Sequence, residues 1–116
     1  DAGNNYTTSA TSAATLTLTP NAGQYVYVYG IHISNCAGAS AVTAAAVTTI
    51  SSTNLTGSPA YTLGSGVAAG LCTQGFGEVY PTGMKSTAPG TAVTYVLPAF
   101  ATNQTVRMGV VWASQP

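Results

Sequence analysis

Residues 24–33, QYVYVYGIHI, decide the fold of this chain. Their side chains alternate strictly, which predicts a β-strand whose successive residues point to opposite faces of a sheet. The alternation places residues 25, 27, 29, 31 and 33 on one face and residues 26, 28, 30 and 32 on the other. Both faces are largely apolar. We therefore expect one face to pack in a core and the other to be covered by a second sheet, an arm or a neighbouring protein.

Similar patterns recur on both sides of this stretch, separated by turns rich in Gly, Pro and Asn. The predicted strands are residues 15–19, 41–50, 60–63, 76–80, 91–97 and 105–113. A turn is predicted at residues 35–38, and residues 64–90 are expected to form a long glycine-rich excursion. The last strand would place Val106, Met108, Val110 and Trp112 on one face. These patterns predict an all-β protein, an antiparallel β-sandwich of the jelly-roll or Ig-like type with seven or eight strands.

The length of 116 residues fits a single domain. Residues 1–13 are expected to be an extended N-terminal arm, followed by a single β-sandwich domain at residues 14–116. Tyr6 is the one large apolar side chain of the arm, so we expect a neighbouring subunit to order it. The chain starts with Asp1 rather than Met, which predicts cleavage of an upstream segment.

The charge content is very low. The four charged residues are Asp1, Glu78, Lys85 and Arg107, whereas ordinary domains carry about 25% charged residues. So few charges exclude nucleic-acid binding by phosphate neutralisation and binding to anionic membranes. No apolar run reaches the ~20 residues of a membrane span. A surface of 19 Thr and 10 Ser lacks self-repulsion and suits a densely packed subunit, or alternatively a secreted protein with a neutral surface.

Catalytic groups are scarce. His32 is the single histidine, and Glu78 is the single carboxylate away from the N-terminus. A Ser-His-Asp triad and a pair of glycosidase carboxylates both need more than this, so we expect no enzyme, no cofactor and no metal. His32 could act as a pH switch at an interface or simply hydrogen-bond to a threonine or a carbonyl group. Glu78 and Lys85 flank a turn across which they could pair.

Two cysteines, Cys36 and Cys72, lie in polar, glycine-rich surroundings. We predict a disulfide bond between them, which would stabilise the fold by ~4 kcal/mol in the chain-entropy account. Such a bond implies oxidising conditions. Two buried free thiols are the alternative.

The best interface candidates are Tyr25, Tyr27 and Tyr29, together with Tyr6 and Arg107. Tyrosine offers a large contact area with a hydroxyl group that tolerates water. The three tyrosines of the row could form a protein interface, a sugar-stacking platform or a core-facing layer. Arg107 needs a carboxylate or several carbonyl groups, and that partner could be Glu78 or an acidic residue of another chain.

Three segments resemble small structural proteins of tailed-phage particles: YVYVYGIHISNCAGASAVTAAAVTT (25–49), YPTGMKSTAPGTAVTYVLP (80–98) and VRMGVVWAS (106–114). The resemblance implies a capsid decoration, or cement, protein on the virion surface. Such proteins are commonly β-sandwiches, often trimeric, that bind the capsid shell at symmetry axes. The partners implied are further copies of this chain, in a trimer or higher assembly, and a shell subunit. The two cysteines are not part of this pattern.

Two other functions fit the sequence. One is a secreted filament or pilus subunit, at the cell surface, in which a strand of one copy completes the sheet of the next. The other is a carbohydrate-binding module that uses the tyrosines. The first needs a strand that can be exchanged, and the second needs exposed rings in a groove.

Overall fold

The computed structural model describes residues 2–9, 12–42, 48–63, 68–72, 76–100 and 102–116, and for residues 2–9, 48 and 76 it describes the backbone alone. These residues form eight strands and no helix: β1 (Ala2–Ser9), β2 (Ala14–Leu18), β3 (Tyr25–Ala37), β4 (Thr48–Thr53), β5 (Ala60–Leu63), β6 (Phe76–Lys85), β7 (Val93–Leu97) and β8 (Gln104–Gln115). The prediction of an all-β protein is confirmed. Across the described ranges, no helix is long and apolar enough to cross a membrane.

The strands form two antiparallel sheets of four strands each. Sheet A has the order β1-β8-β3-β6, and sheet B has the order β2-β7-β4-β5. The hydrogen-bonded pairs include β1·β8, β2·β7, β3·β6 and β4·β5. These are the pairs that the two arms of one long β-hairpin make when its turn lies between β4 and β5. Rolling up that hairpin gives the eight-stranded jelly roll. The strand order therefore selects the jelly roll over the Ig-like alternative.

The core lies between the two sheets and follows from the alternation of the strands. In β2 and β7 every second residue is buried, and in β8 the residues predicted to point inward do so. Ten of the largest fully buried side chains are aliphatic: Leu18, Ile33, Ile50, Leu55, Leu97, Val26, Val28, Val93, Val106 and Val110. Tyr95 and Met108 complete that set. Close packing of these side chains is the main source of stability.

A β-bulge interrupts β3 and corrects the predicted faces. The register of β3 shifts between Val28 and Gly30 against both of its neighbours. A bulge adds one residue to a strand, so every side chain after it changes face. Val26 and Val28 point into the core together with Ile31 and Ile33. The prediction that the isoleucines share a face with the tyrosines is therefore wrong.

β3 is also longer than predicted, because the expected turn at residues 35–38 is still strand as far as Ala37. Cys36 pairs with Thr105 of β8 on one side and with Cys72 on the other. The Ala37 amide donates to the Leu71 carbonyl at 2.9 Å. The segment around Leu71 thus hydrogen-bonds to the end of β3, so the strand continues where a turn was predicted. Cys36 and Cys72 form a disulfide bond, as predicted.

The N-terminal segment has a different partner from the one predicted. Residues 2–9 form β1 and pair along their whole length with β8 of the same chain, with Tyr6 opposite Gly109. The expectation that a neighbouring subunit is needed to order this segment is wrong. Pairing with β8 satisfies the backbone groups on one side of β1, and the other side forms an edge of sheet A.

Two strand predictions are revised in extent. β4 occupies Thr48–Thr53, whereas the prediction was a strand at residues 41–50, of which residues 43–47 lie outside the described part. β6 continues to Lys85 through Pro81 and Gly83. Both residues lie on an edge strand, where an irregular backbone is tolerated. A glycine at φ 79° turns the strand there without steric cost.

Candidate interaction surface

Three tyrosine rings form a row on the outer face of sheet A. The centroids of the Tyr25 and Tyr27 rings lie 6.5 Å apart in an edge-on arrangement. Those of Tyr27 and Tyr29 lie 6.4 Å apart and are nearly parallel, with 18° between their planes. The Lys85 ammonium group lies over the Tyr25 ring, 3.8 Å from its centroid. We call Tyr25, Tyr27 and Tyr29 the tyrosine row.

Contacts from two neighbouring strands hold the tyrosine row in place. The Tyr29 hydroxyl donates to Gln115 Oε1 at 2.7 Å, and the Tyr27 hydroxyl donates to the Pro116 carbonyl at 3.5 Å. Gly83 lies so close that a Cβ atom added there would come within 3.0 Å of the Tyr29 ring. The rings are half-buried at rest. A partner that binds them therefore needs to order little, which lowers the entropic cost of binding.

A second feature of the outer face lies beyond the bulge, where β6, β3 and β8 run side by side. In one row, Gly30 pairs with Val79 and with Val111; in the next, His32 pairs with Gly77 and with Gly109. Val79 is 76% exposed and Val111 is 51% exposed. Together they border a shallow depression of about 260 Å³. We call the six residues of these two rows the checkerboard, because glycines alternate with larger residues both along the strands and across them.

The polar end of the face is formed by Arg107 and Ser34, which pair across β8 and β3. With His32 and Gly109 they line a separate depression of about 260 Å³. Arg107 is exposed on this outer face. Glu78 pairs with Ile31 in the register of β6 and β3, and Ile31 is buried in the core. Arg107 and Glu78 thus belong to opposite faces of sheet A, so the sheet does not bring them together.

A groove opens between the edge strands β5 and β6. The Tyr80 hydroxyl donates to Glu78 Oε2 at 2.7 Å and lies 2.9 Å from the Tyr61 hydroxyl. Each hydroxyl has one proton, so Tyr61 donates to Tyr80. Desolvation raises the pKa of Tyr80, and the hydrogen bonds to Tyr61 and Glu78 raise it further. Burial likewise raises the pKa of Tyr61.

The groove has a volume of about 460 Å³ and is bordered mainly by apolar side chains, including Leu63 and Met84. The predicted pair of Glu78 and Lys85 is replaced by two other contacts, since Glu78 accepts from Tyr80 and Lys85 lies over Tyr25. Among the described residues, no group of three or more His, Cys, Asp or Glu side chains could hold a metal ion.

The structure brings only part of the predicted site together. Tyr25, Tyr27 and Tyr29 form one continuous row, and Arg107 lies on the same outer face at its other end. Tyr6 lies in β1, opposite Gly109 in the register. The core-facing alternative for the tyrosines is wrong, because their rings point away from the second sheet.

Sequence analysis did not single out Val79 or the glycines that surround it. The alternation of the last strand predicts that Val111 shares a face with Arg107 and Gly109, opposite Val110, and the structure confirms this. The role of Gly30 and Gly77 depends on the register across three strands, which a single strand pattern does not contain. The signal that could have found them is the alternation of glycine with large side chains in three separate strands.

Comparison with known proteins returns no significant match to a family model, a curated protein or a solved structure. A fold alone does not determine a function, so the residues of the interaction surface carry the functional inference.

Proposed function

We propose that this chain is a non-enzymatic structural protein that works through repeated protein–protein contacts made by the outer face of sheet A. The observation that carries the proposal is that the half-buried tyrosine row and the exposed Val79 and Val111 lie on one face. Tyrosine is enriched at the centres of protein interfaces. Contiguous apolar surface of this kind marks an interaction site in soluble proteins.

The size of the molecule is compatible with this role. It measures 47 × 23 × 20 Å, so a surface along its longest axis has room for the roughly 800 Å² that each partner buries in a stable interface. Only four residues of 116 are charged. Burying this face therefore requires little desolvation of charge, which is costly wherever charged groups are buried.

We propose further that the assembly is a virus particle and that the chain is a multi-copy capsid decoration protein on the virion surface. Support comes from the resemblance of residues 25–49, 80–98 and 106–114 to structural proteins of tailed phages. The jelly roll is compatible with this, because viral capsid domains are among the proteins that use it. Contact with several shell subunits at once would turn modest interfaces into tight binding.

The proposal is tested by adding the protein to shells that lack it and measuring binding by cosedimentation. We expect saturable binding with equal retention at low salt and at ~1 M NaCl, since screening has few charges to act on. Replacing Tyr27 by Ser should weaken binding, while the matched control Thr17→Ser, on the outer face of sheet B, should not. Failure to bind any shell or filament in which the chain occurs would contradict the proposal.

A filament assembled by strand exchange is the second candidate, favoured by the position of β1. β1 is an edge strand that pairs with β8 over eight residues. The same pairing could be supplied by β1 of another copy. Deletion of residues 1–13 separates the candidates. If β1 is exchanged, the truncated protein should bind an added peptide of residues 1–13 and should no longer form filaments.

A further inference from the structure

The checkerboard has a symmetry that makes it complementary to itself. In its first row, across β6, β3 and β8, a glycine lies between two valines. In its second row, a histidine lies between two glycines. The members in that order are Val79, Gly30 and Val111, then Gly77, His32 and Gly109. Inverting the order of the two rows therefore exchanges every projecting side chain with a glycine.

A twofold axis produces this exchange. If the axis lies in the plane of the interface, perpendicular to the strands and midway between the rows, it places a second copy face to face with the first. Val79 then lies over the partner's Gly77, and Val111 lies over the partner's Gly109. His32 lies over the partner's Gly30. An axis parallel to the strands would instead place Val79 against the partner's Val111 and leave glycine opposite glycine.

We propose that two copies of this chain pack through the outer faces of their A sheets about this perpendicular twofold axis. The proposal rests on the proposed function and specifies it: the partner that covers the outer face of sheet A is a second copy of this chain, and the edges and ends of the resulting dimer are left to contact the shell. Sheets pack about 10 Å apart when side chains fill the space between them. Here each projecting side chain of the checkerboard enters a position with no side chain, so this part of the contact can be closely packed without rearrangement. The molecule is 47 Å long and 20 Å across its narrowest dimension, which leaves room for the roughly 800 Å² per partner that stable interfaces use.

The few charges of the face are compatible with this arrangement. The axis moves the row of Arg107 and Ser34 over the partner's row of Ala113 and Tyr27. Arg107 then lies over the partner's Ala113, one strand away from the Tyr27 ring. An arginine beside a tyrosine ring makes a favourable cation–π contact. Lys85 lies on the far side of that ring, about two strand spacings, or ~10 Å, from the incoming arginine.

Paired charge variants test the arrangement. Val79→Asp places a carboxylate over the partner's Gly77, and Gly77→Lys places an ammonium group over the partner's Val79. Both positions are exposed, and a Cβ atom at residue 77 meets its nearest atom at 3.7 Å, an ordinary contact, so both variants should fold. We expect each variant alone to dimerise roughly 30-fold more weakly than the wild type, because each homodimer buries two unpaired charges, one from each copy.

A mixture of the two variants should form a heterodimer at least about tenfold tighter than either homodimer, since one Asp–Lys pair forms and the other contact stays native. Val96→Asp, on the outer face of sheet B, is the control and should dimerise like the wild type. Sedimentation equilibrium measures all of these dissociation constants.

Three results would overturn the proposal. One is dimerisation of Val79→Asp and Gly77→Lys at wild-type strength, which would leave the structural role intact but place the contact elsewhere. The second is rescue of Val79→Asp by Val111→Lys rather than by Gly77→Lys, which would select the axis parallel to the strands. The third is a wild-type protein that stays monomeric at all concentrations. The proposed function fails separately, when the wild type does not bind shells or filaments.

Discussion

The outer faces of the two sheets differ sharply, although both are built from the same nearly uncharged sequence. The outer face of sheet B is covered by hydroxyl groups, with exposed side chains at Thr15, Thr17, Thr49, Ser51, Thr53 and Thr62. Val96 is a large apolar exception, 38% exposed. The outer face of sheet A instead carries the tyrosine row and two valines that are 76% and 51% exposed.

The difference shows how a chain without charges can separate a water-facing surface from a contact surface. Hydroxyl groups bond to water and to each other, as do Thr53 and Thr94, whose Oγ1 atoms lie 2.5 Å apart. Exposing aromatic rings and valine side chains to water costs free energy, and burying them against another apolar surface is favourable. We infer that sheet B faces solvent in the assembly and sheet A faces a partner.

The largest loss of stability should come from removing the disulfide bond at the end of sheet A. Replacing Cys36 and Cys72 together by Ser removes a link that closes a 36-residue separation, which should lower the free energy of unfolding by ~4 kcal/mol. Urea denaturation measures this loss. A stability within about 1 kcal/mol of the wild type would mean that the hydrogen bonds around Leu71 hold this end without the covalent link.

The next largest loss of stability should come from substituting Gly83, which supports the tyrosine row. Gly83→Ala introduces a side chain at φ 79° and within 3.0 Å of the Tyr29 ring, which should cost ~1–3 kcal/mol. Gly23→Ala is the control, because Gly23 has φ 73° but nothing within 4 Å of an added Cβ atom. The two variants share the backbone strain and differ in the contact with the row. Equal losses would show that the row is not held by Gly83.

Alkaline pH should weaken the fold through tyrosines that do not belong to the row. Burial raises the pKa of Tyr61, Tyr80 and Tyr95 in the folded protein above the ordinary value of 10.0. Their contribution to stability is therefore complete below pH 10 and is lost as the pH rises from there through the folded-state pKa values. Melting temperatures measured from pH 8 to 12 should be level at first and then fall by several degrees. A level curve up to pH 12 would contradict this.

The smallest effect should come from Tyr95, whose buried hydroxyl has no hydrogen-bond partner among the described residues. Tyr95→Phe should change stability by at most ~1 kcal/mol and in the stabilising direction. Tyr61→Phe is the matched variant, because it removes a hydroxyl that is bonded to Tyr80 and should cost ~1 kcal/mol. A larger loss for Tyr95→Phe than for Tyr61→Phe would contradict the assignment.

The sequence predicted the features that depend on one strand at a time. Period-two alternation located β2, β5, β7 and β8, and it assigned Val106, Met108 and Val110 to the core. The disulfide bond was also predicted, because two cysteines in polar surroundings have few other uses. These features need only local information about side-chain direction.

Features that depend on pairing between strands were missed. The bulge between Val28 and Gly30 reverses the alternation inside β3, and a strand pattern contains no sign of an inserted residue. β1 has the composition of a disordered arm, but a free edge of β8 provides it with hydrogen bonds. Tyr61 and Tyr80 meet because β5 and β6 are the edge strands on the same side of two different sheets.

The central claim is that the outer face of sheet A is the contact surface. Hydroxyl-radical footprinting of the free protein and of the native assembly, read out by mass spectrometry, tests it directly. We expect strong protection on assembly at Tyr25, Tyr27, Tyr29 and Val79, with unchanged labelling at Val96 on sheet B. Protection at Val96 without protection of the tyrosine row would show that the hydroxyl-covered face makes the contact and would contradict the claim.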